Sequence, residues 1–123
     1  MPASEVRMVP KPWGHEEVFA TTDRYVGKVL FIRAGEALSL QYHRQKDETI
    51  RVLEGELELL AGPSPERLER ILLRPGEAFR IPPRTVHRMI ARSDTRVLEV
   101  STPELDDVVR LEDRYGREGT SDP

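Results

Sequence analysis

Four side chains in two separated segments carry the donor atoms of a metal site: Gln41, His43 and Glu48 in the first, His87 in the second. Imidazole nitrogens, a carboxylate and an amide oxygen suit Zn²⁺, Mn²⁺, Fe²⁺, Co²⁺ and Ni²⁺, and the affinity order does not choose among them. The 123 residues include no cysteine, so thiolate sites, disulfides and thiol nucleophiles are excluded together. Each residue taken singly has an ordinary reading. A histidine in a strand is most often exposed or hydrogen-bonded in a core, glutamine is a poor ligand, and glutamate is usually solvated. Spacing, not residue type, carries the case for a metal. His15, the third histidine, follows Trp13-Gly14 and reads as structural or substrate-side.

Side chains alternate faces along a strand. In Leu38–His43 this puts Leu38, Leu40 and Tyr42 on one face and Ser39, Gln41 and His43 on the other. Glu48, Ile50 and Val52 share a face further on, as do His87 and Met89. If these faces converge, they enclose a mixed cavity with four metal-competent groups, and a small barrel has room for one small ligand.

The elements needed to position them are short strands. Gly and Pro punctuate stretches rich in Val, Leu and Ile, giving about nine strands: 16–20, 25–33, 38–43, 49–53, 56–60, 68–73, 78–81, 86–91 and 97–101. A Glu54-Gly55 turn separates two of them, and Ala61-Gly62-Pro63-Ser64-Pro65 opens a surface loop. Strands at this spacing predict a sandwich or barrel. The one helical pattern is in the tail, where Leu105, Val108, Val109 and Leu111 within 104–115 predict a short amphipathic turn or two; residues after Gly116 are expected to fray. The length suits one domain, with a core over about 12–103 and a tail over 104–123. Charged residues make up 33% of the chain, so its exterior is heavily solvated, and the net charge of −3 advertises no nucleic-acid partner. Met1–Val9 lacks the apolar centre of a signal peptide and no stretch approaches membrane-spanning length, so a cytoplasmic protein without membrane contact is expected.

The first segment reads Gly35, five residues, Gln41-Tyr42-His43, four residues, Glu48, six residues, Gly55. The second reads Gly76, five residues, Pro82-Pro83-Arg84-Thr85-Val86-His87. Together they resemble the two motifs of the cupin family. That resemblance implies an all-β fold, a double-stranded β-helix or antiparallel jelly-roll barrel, here with a short helical or irregular C-terminal tail. It also implies one divalent metal ion on Gln41, His43, Glu48 and His87, with zinc slightly favoured. Two positions depart from the motifs: Gln41 replaces the first histidine of the usual pair, and Arg84 replaces a glycine.

The glutamine is informative. Leu38-Ser39-Leu40-Gln41-Tyr42-His43 is similar to the L-S-L-Q-x-H segment of the mannose-6-phosphate isomerase family, in which both Gln and His are ligands. Pro12-Trp13-Gly14, Lys28, Ile81-Pro82, Val86-His87-Arg88, Leu98-Glu99-Val100 and the run Asp106–Arg117 resemble the isomerase domain of the type II, bifunctional enzymes over about residues 10–117. Where that domain reads H-R-x-E-H-W, this chain has Lys46-Asp47-Glu48-Thr49-Ile50, so the arginine becomes lysine and the His-Trp pair is absent. Lysine does not replace arginine where a group is held bidentately. No Gly-rich nucleotide loop is present, so nucleotidyl transfer is not expected.

The resemblance implies a sugar-phosphate isomerase, converting mannose 6-phosphate to fructose 6-phosphate. The expected partners are a small sugar phosphate and a second copy of the chain, with Val9–Trp13 crossing to it. Such a reaction needs a group to move a carbon-bound proton; the candidates are Lys28, Lys46 and Arg88, and Arg110 is the candidate for holding the phosphate, or else an ion-pair partner of Asp106, Asp107 or Asp113. A non-catalytic, metal-dependent sugar or sugar-phosphate binding protein is the alternative favoured by the missing His-Trp pair. An Fe²⁺ oxygenase-type cupin, against which Gln41 argues, and a storage-like or structural role complete the set.

Overall fold

The computed structural model describes residues 1–104 and 106–121. Within them the chain forms β1 (Arg7–Lys11), β2 (Gly14–Thr21), β3 (Val26–Ile32), β4 (Leu40–Tyr42), β5 (Glu48–Glu54), β6 (Leu57–Gly62), β7 (Glu69–Leu73), β8 (Ala78–Ile81), β9 (Val86–Ala91), β10 (Thr95–Ser101), β11 (Val108–Glu112) and β12 (Gly119–Ser121). Period-two alternation places their side chains. In β6, Leu57, Leu59 and Ala61 are buried and the residues between them are half-buried; in β10, Thr95, Val97, Glu99 and Ser101 face inward.

The strands form two six-stranded antiparallel sheets, ordered β1-β2-β3-β10-β5-β8 and β12-β11-β4-β9-β6-β7. From β3 onward the chain repeatedly changes sheet, so strands close in sequence face one another across the interior. This is a jelly roll in which the two sheets face each other, and no strand pairing among the described residues closes them into a hydrogen-bonded barrel. Leu30, Ile32, Ile50, Val52, Leu57, Leu59, Ile81 and Val97 are almost wholly removed from water and form the apolar half of the interior. The other half is polar and holds the site.

Residues 9–11 of the segment 9–13 lie in β1, which pairs with β2 of its own chain, Val9 opposite Glu16. Two terminal elements differ from the sequence expectation. The 104–115 segment is not helical. Its β-branched Val108 and Val109 suit a pleated strand, and β4 offers an open edge on which β11 completes its backbone hydrogen bonds, with Arg110 opposite Gln41. Leu105 lies outside the described residues. Past Gly116 the chain pairs again, as β12 on β11. The surface loop begins two residues later than expected, because Ala61 and Gly62 close β6.

Turn geometry explains one motif glycine and one departure. Gly55 has φ +86°, and a Cβ there would lie 2.4 Å from the carbonyl oxygen of Asp94, so both conformation and space require glycine. Arg84 keeps the left-handed backbone, φ +67°, despite its side chain. The turn holds because the Arg84 N–H donates to the His43 carbonyl at 2.6 Å, tying the start of β9 to the end of β4. Arg84→Gly is expected to raise stability in urea or thermal unfolding by up to about 1 kcal/mol, the left-handed penalty less the added freedom of the unfolded chain. A loss of stability would show that the arginine side chain outweighs its backbone strain.

Candidate metal centre

β4 and its continuation deliver Gln41 and His43, the start of β5 delivers Glu48, and β9 delivers His87 opposite Gln41. His43, Glu48 and His87 are buried and their donor atoms lie within 4.8 Å of one another. His43 Nε2 is 3.2 Å and His87 Nε2 3.1 Å from the same oxygen, Glu48 Oε1.

Backbone carbonyls fix the tautomers. His43 Nδ1 donates to the Asp107 carbonyl at 2.7 Å, and His87 Nδ1 donates to the Thr85 carbonyl at 2.9 Å. A carbonyl only accepts, so each neutral ring carries its proton on Nδ1 and turns an Nε2 lone pair toward Glu48. Two lone pairs and a carboxylate oxygen repel unless a cation or an added proton lies between them. With an added proton on an imidazole, hydrogen bonding from His43 and His87 and the charge of Lys46 outweigh burial and hold the Glu48 carboxyl well below the usual range; a cation between the three groups takes the place of that proton. The donor set therefore fits a divalent cation, with each imidazole oriented from behind by a carbonyl.

Gln41 is half-buried beside this cluster. Its Oε1 accepts from Ser39 Oγ at 2.7 Å, and its Nε2 is 3.5 Å from His87 Nε2. A half-turn of the amide exchanges these atoms and keeps the serine contact, since a hydroxyl both donates and accepts. The oxygen then faces the cluster as a fourth donor.

Behind Glu48 runs a chain of buried charges of alternating sign. Lys46 Nζ is 3.6 Å from Glu48 Oε2 and 3.3 Å from Glu99 Oε2. Lys28 Nζ is 3.7 Å from the same Glu99 oxygen and 3.2 Å from Glu16 Oε2. Isolated charges in such a place are costly, and alternation is what makes them tolerable. Burial favours a neutral Lys46, but Glu99 and Glu48 outweigh it and raise its pKa, so Lys46 is a fixed cation.

The chain of charges and the donors border one recess with about 470 Å³ of empty space, including its open mouth, lined among others by Lys11, Glu16, Lys28, Gln41, His43, Lys46, Glu48, Glu99, Arg110 and Arg117. Of the residues singled out in the sequence, Gln41, His43, Glu48, Lys28, Lys46 and Arg110 border this recess, and His87 completes the donor cluster. Arg88 does not join them. It lies on the other face of β9 from His87, where its guanidinium donates to the carbonyls of Leu38 and Glu112. His15 is also outside, stacked on Phe31 with ring centroids 4.3 Å apart.

Sequence reasoning missed Glu16, Glu99 and Asp107. Alternation along β10 would have turned Glu99 inward with Val97. Asp107 left less signal, because it acts across 60 residues of chain. Its carboxylate accepts from the backbone N–H groups of Arg44, Gln45 and Lys46 at 2.9, 2.6 and 2.9 Å, pinning the loop between His43 and Glu48.

Residues 28–101 match the cupin domain family. The chain is a cupin. It is 31% identical over 116 residues to the xanthan biosynthesis protein XanB of Xanthomonas campestris, covering 90% of this cupin and 24% of that protein. Against the mannose-1-phosphate guanylyltransferase ManC of Salmonella typhimurium the identity is 34%, over 90% of this chain and 23% of that one. The cupin thus spans about a quarter of the length of these relatives. Among solved structures it resembles KdgF from Halomonas, with TM-score 0.68 and 22% identity over 83% of this chain and 88% of the other. It also resembles the capsular polysaccharide assembling protein CapF from Staphylococcus aureus, with TM-score 0.73 and 19% identity over 88% and 34%. At these identities the structural likeness shows the fold.

His43→Ala and His87→Ala are each expected to abolish stoichiometric binding of divalent metal, and Gln41→Ala to weaken it less, as read by elemental analysis after dialysis. One metal per chain retained in either histidine variant would remove that residue from the site. Asp107→Asn is expected to cost about 2 kcal/mol at neutral pH, the worth of hydrogen bonds to a charged acceptor. Burial works against ionisation of Asp107, but the three backbone N–H groups prevail and lower its pKa. Its contribution is therefore present in full above the unfolded carboxylate value and lost as pH falls through the folded one. Urea titrations of the two proteins should converge on acidification; a constant gap would assign the cost to something other than the charge.

Proposed function

We propose that this cupin is a divalent-metal-dependent sugar-phosphate isomerase that interconverts mannose 6-phosphate and fructose 6-phosphate. The observation that carries the reading is the meeting of three buried donors, His43, Glu48 and His87, at a recess whose remaining wall is rich in cations. The relatives support the sugar class, since one is named for mannose 1-phosphate and another for xanthan biosynthesis.

In this reading Gln41, His43, Glu48 and His87 hold the metal. When bound, the ion supplies Lewis acidity toward the sugar's carbonyl oxygen. The protein moves the proton between C1 and C2. Lys46 is unsuited to accept it because its neighbours keep it charged, and Lys28 is committed to two carboxylates, Glu16 and Glu99. Glu16 and Glu99 are the carboxylates in the wall of the recess outside the donor cluster. Glu99 lies between two lysines, whereas among the described residues Glu16 is ion-paired with Lys28 alone, so we assign the proton transfer to Glu16. Lys28 and Lys46 then offset the negative charge that develops on the substrate oxygens.

The second reading, binding without turnover, is favoured by the Lys46-Asp47-Glu48-Thr49-Ile50 segment, which lacks the arginine and the His-Trp pair of the isomerase motif. A coupled assay with metal-loaded protein separates the two. The native chain should convert mannose 6-phosphate, His87→Ala should be inactive, and Glu16→Gln should lose about 100-fold or more in kcat, as befits a general base. Metal-loaded native protein no faster than His87→Ala would leave the binding reading; an active Glu16→Gln variant would move the base elsewhere.

A further inference from the structure

The recess has a second end. In one sheet β1 lies four places from β5, the strand of Glu48; in the other β11 lies two places from β9, the strand of His87. β11 neighbours β4, so Arg110 stands beside the donor Gln41, while Lys11 on β1 lies four strands from Glu48 in the other sheet. Three cations gather there. Lys11 is two residues along β1 from Val9, which pairs with Glu16, so alternation turns Lys11 to the same inward face as Glu16. Arg110 is buried on β11 directly opposite Gln41. Arg117 follows β11 and is set by Asp113, whose Oδ2 accepts from its backbone N–H and its Nε, both at 2.8 Å. All three line the recess.

We infer that Lys11, Arg110 and Arg117 form an anion subsite that takes the phosphate group of a phosphorylated sugar whose carbonyl end reaches the donor cluster. The wall of the recess carries five cationic residues, Lys11, Lys28, Lys46, Arg110 and Arg117, against three carboxylates, Glu16, Glu48 and Glu99. Lys28 and Lys46 are committed to those carboxylates at ion-pair distance. Arg117 is likewise paired with Asp113 at 2.8 Å, so three cations, Lys11, Arg110 and Arg117, meet Asp113 and Glu16 at this end. Burial disfavours the charged forms of Lys11 and Arg110, and repulsion from Arg117 adds to this for both. A dianion between them relieves that repulsion. Two guanidinium forks and one ammonium present many donors to a tetrahedral group with several acceptor oxygens.

The subsite deepens the isomerase reading and rests on it for the sugar, while the capture of phosphate stands apart from turnover. The test titrates inorganic phosphate, mannose 6-phosphate and mannose into the full chain at low ionic strength by calorimetry, using native protein, Lys11→Gln, Arg117→Gln and the double variant. Arg70→Gln, on exposed β7, is the control. Phosphate and mannose 6-phosphate should bind the native chain and the control alike. Each single substitution should weaken both at least ten-fold, and mannose should bind far more weakly than its phosphate. In the native chain, amide signals of residues 9–11 and 109–117 should shift with added phosphate and those of 63–68 should not; this readout does not depend on the variants folding. Phosphate affinity unchanged in the double variant, or shifts confined to other segments, would overturn the subsite. Phosphate capture in a chain with no turnover keeps the subsite and ends the isomerase reading. Turnover with an unaltered KM in the double variant does the reverse.

Discussion

Glu48 divides its two oxygens between two buried networks, and the polar half of the interior is arranged around that division. Oε1 faces the Nε2 atoms of His43 and His87, and Oε2 faces the ammonium of Lys46. A single carboxylate almost wholly removed from water would otherwise be neutral or unfavourable. Here Lys46 faces one oxygen, and the two imidazoles facing the other are reconciled with it only by a cation or an added proton between them. The donor cluster and the alternating chain Glu16–Lys28–Glu99–Lys46 are therefore parts of one electrostatic system. A change in either reaches the other through one side chain.

The jelly roll makes that system possible by changing sheets at nearly every strand. Gln41 and His87 come from one sheet, Glu48, Lys28 and Glu99 from the other, and they meet because each strand turns its own alternate residues into the space between the sheets. The connecting segments carry nearly as much of the organisation as the strands. Asp107 anchors the loop from His43 to Glu48 through three backbone N–H groups and orients His43 through its carbonyl. Arg84, strained in the left-handed region, ties the approach to His87 onto His43. The ligand loop is thus held from two directions by segments distant in sequence.

The penultimate strand, β11, and the turn after it contribute to the recess. β11 covers the edge of β4 and in doing so sets Arg110 beside Gln41. The turn after it presents Arg117, and β1 adds Lys11 from the opposite sheet. Terminal segments that look peripheral along the chain thus line the interior, because β1 and β11 extend the two sheets and their inward-facing positions become cavity wall.

Much was legible in the sequence. Alternation in Leu38–His43 and Val86–Ala91, punctuated by Gly and Pro, determined strands and which residues share a face, since side-chain direction in a strand depends only on parity. The two spaced motifs determined the cupin family and which residues could be brought together. What only the tertiary structure decided was contact across long separations. Alternation places Arg88 and His87 on opposite faces but does not say which face is interior for a given pair of sheets. Val108–Glu112 carries helical spacing and strand-forming residues at once, and the open edge of β4 resolved that ambiguity. The partners of Glu16, Glu99 and Asp107 lie up to 71 residues away, the separation of Lys28 and Glu99, and local pattern holds no information about charges that meet only when two sheets close on one another.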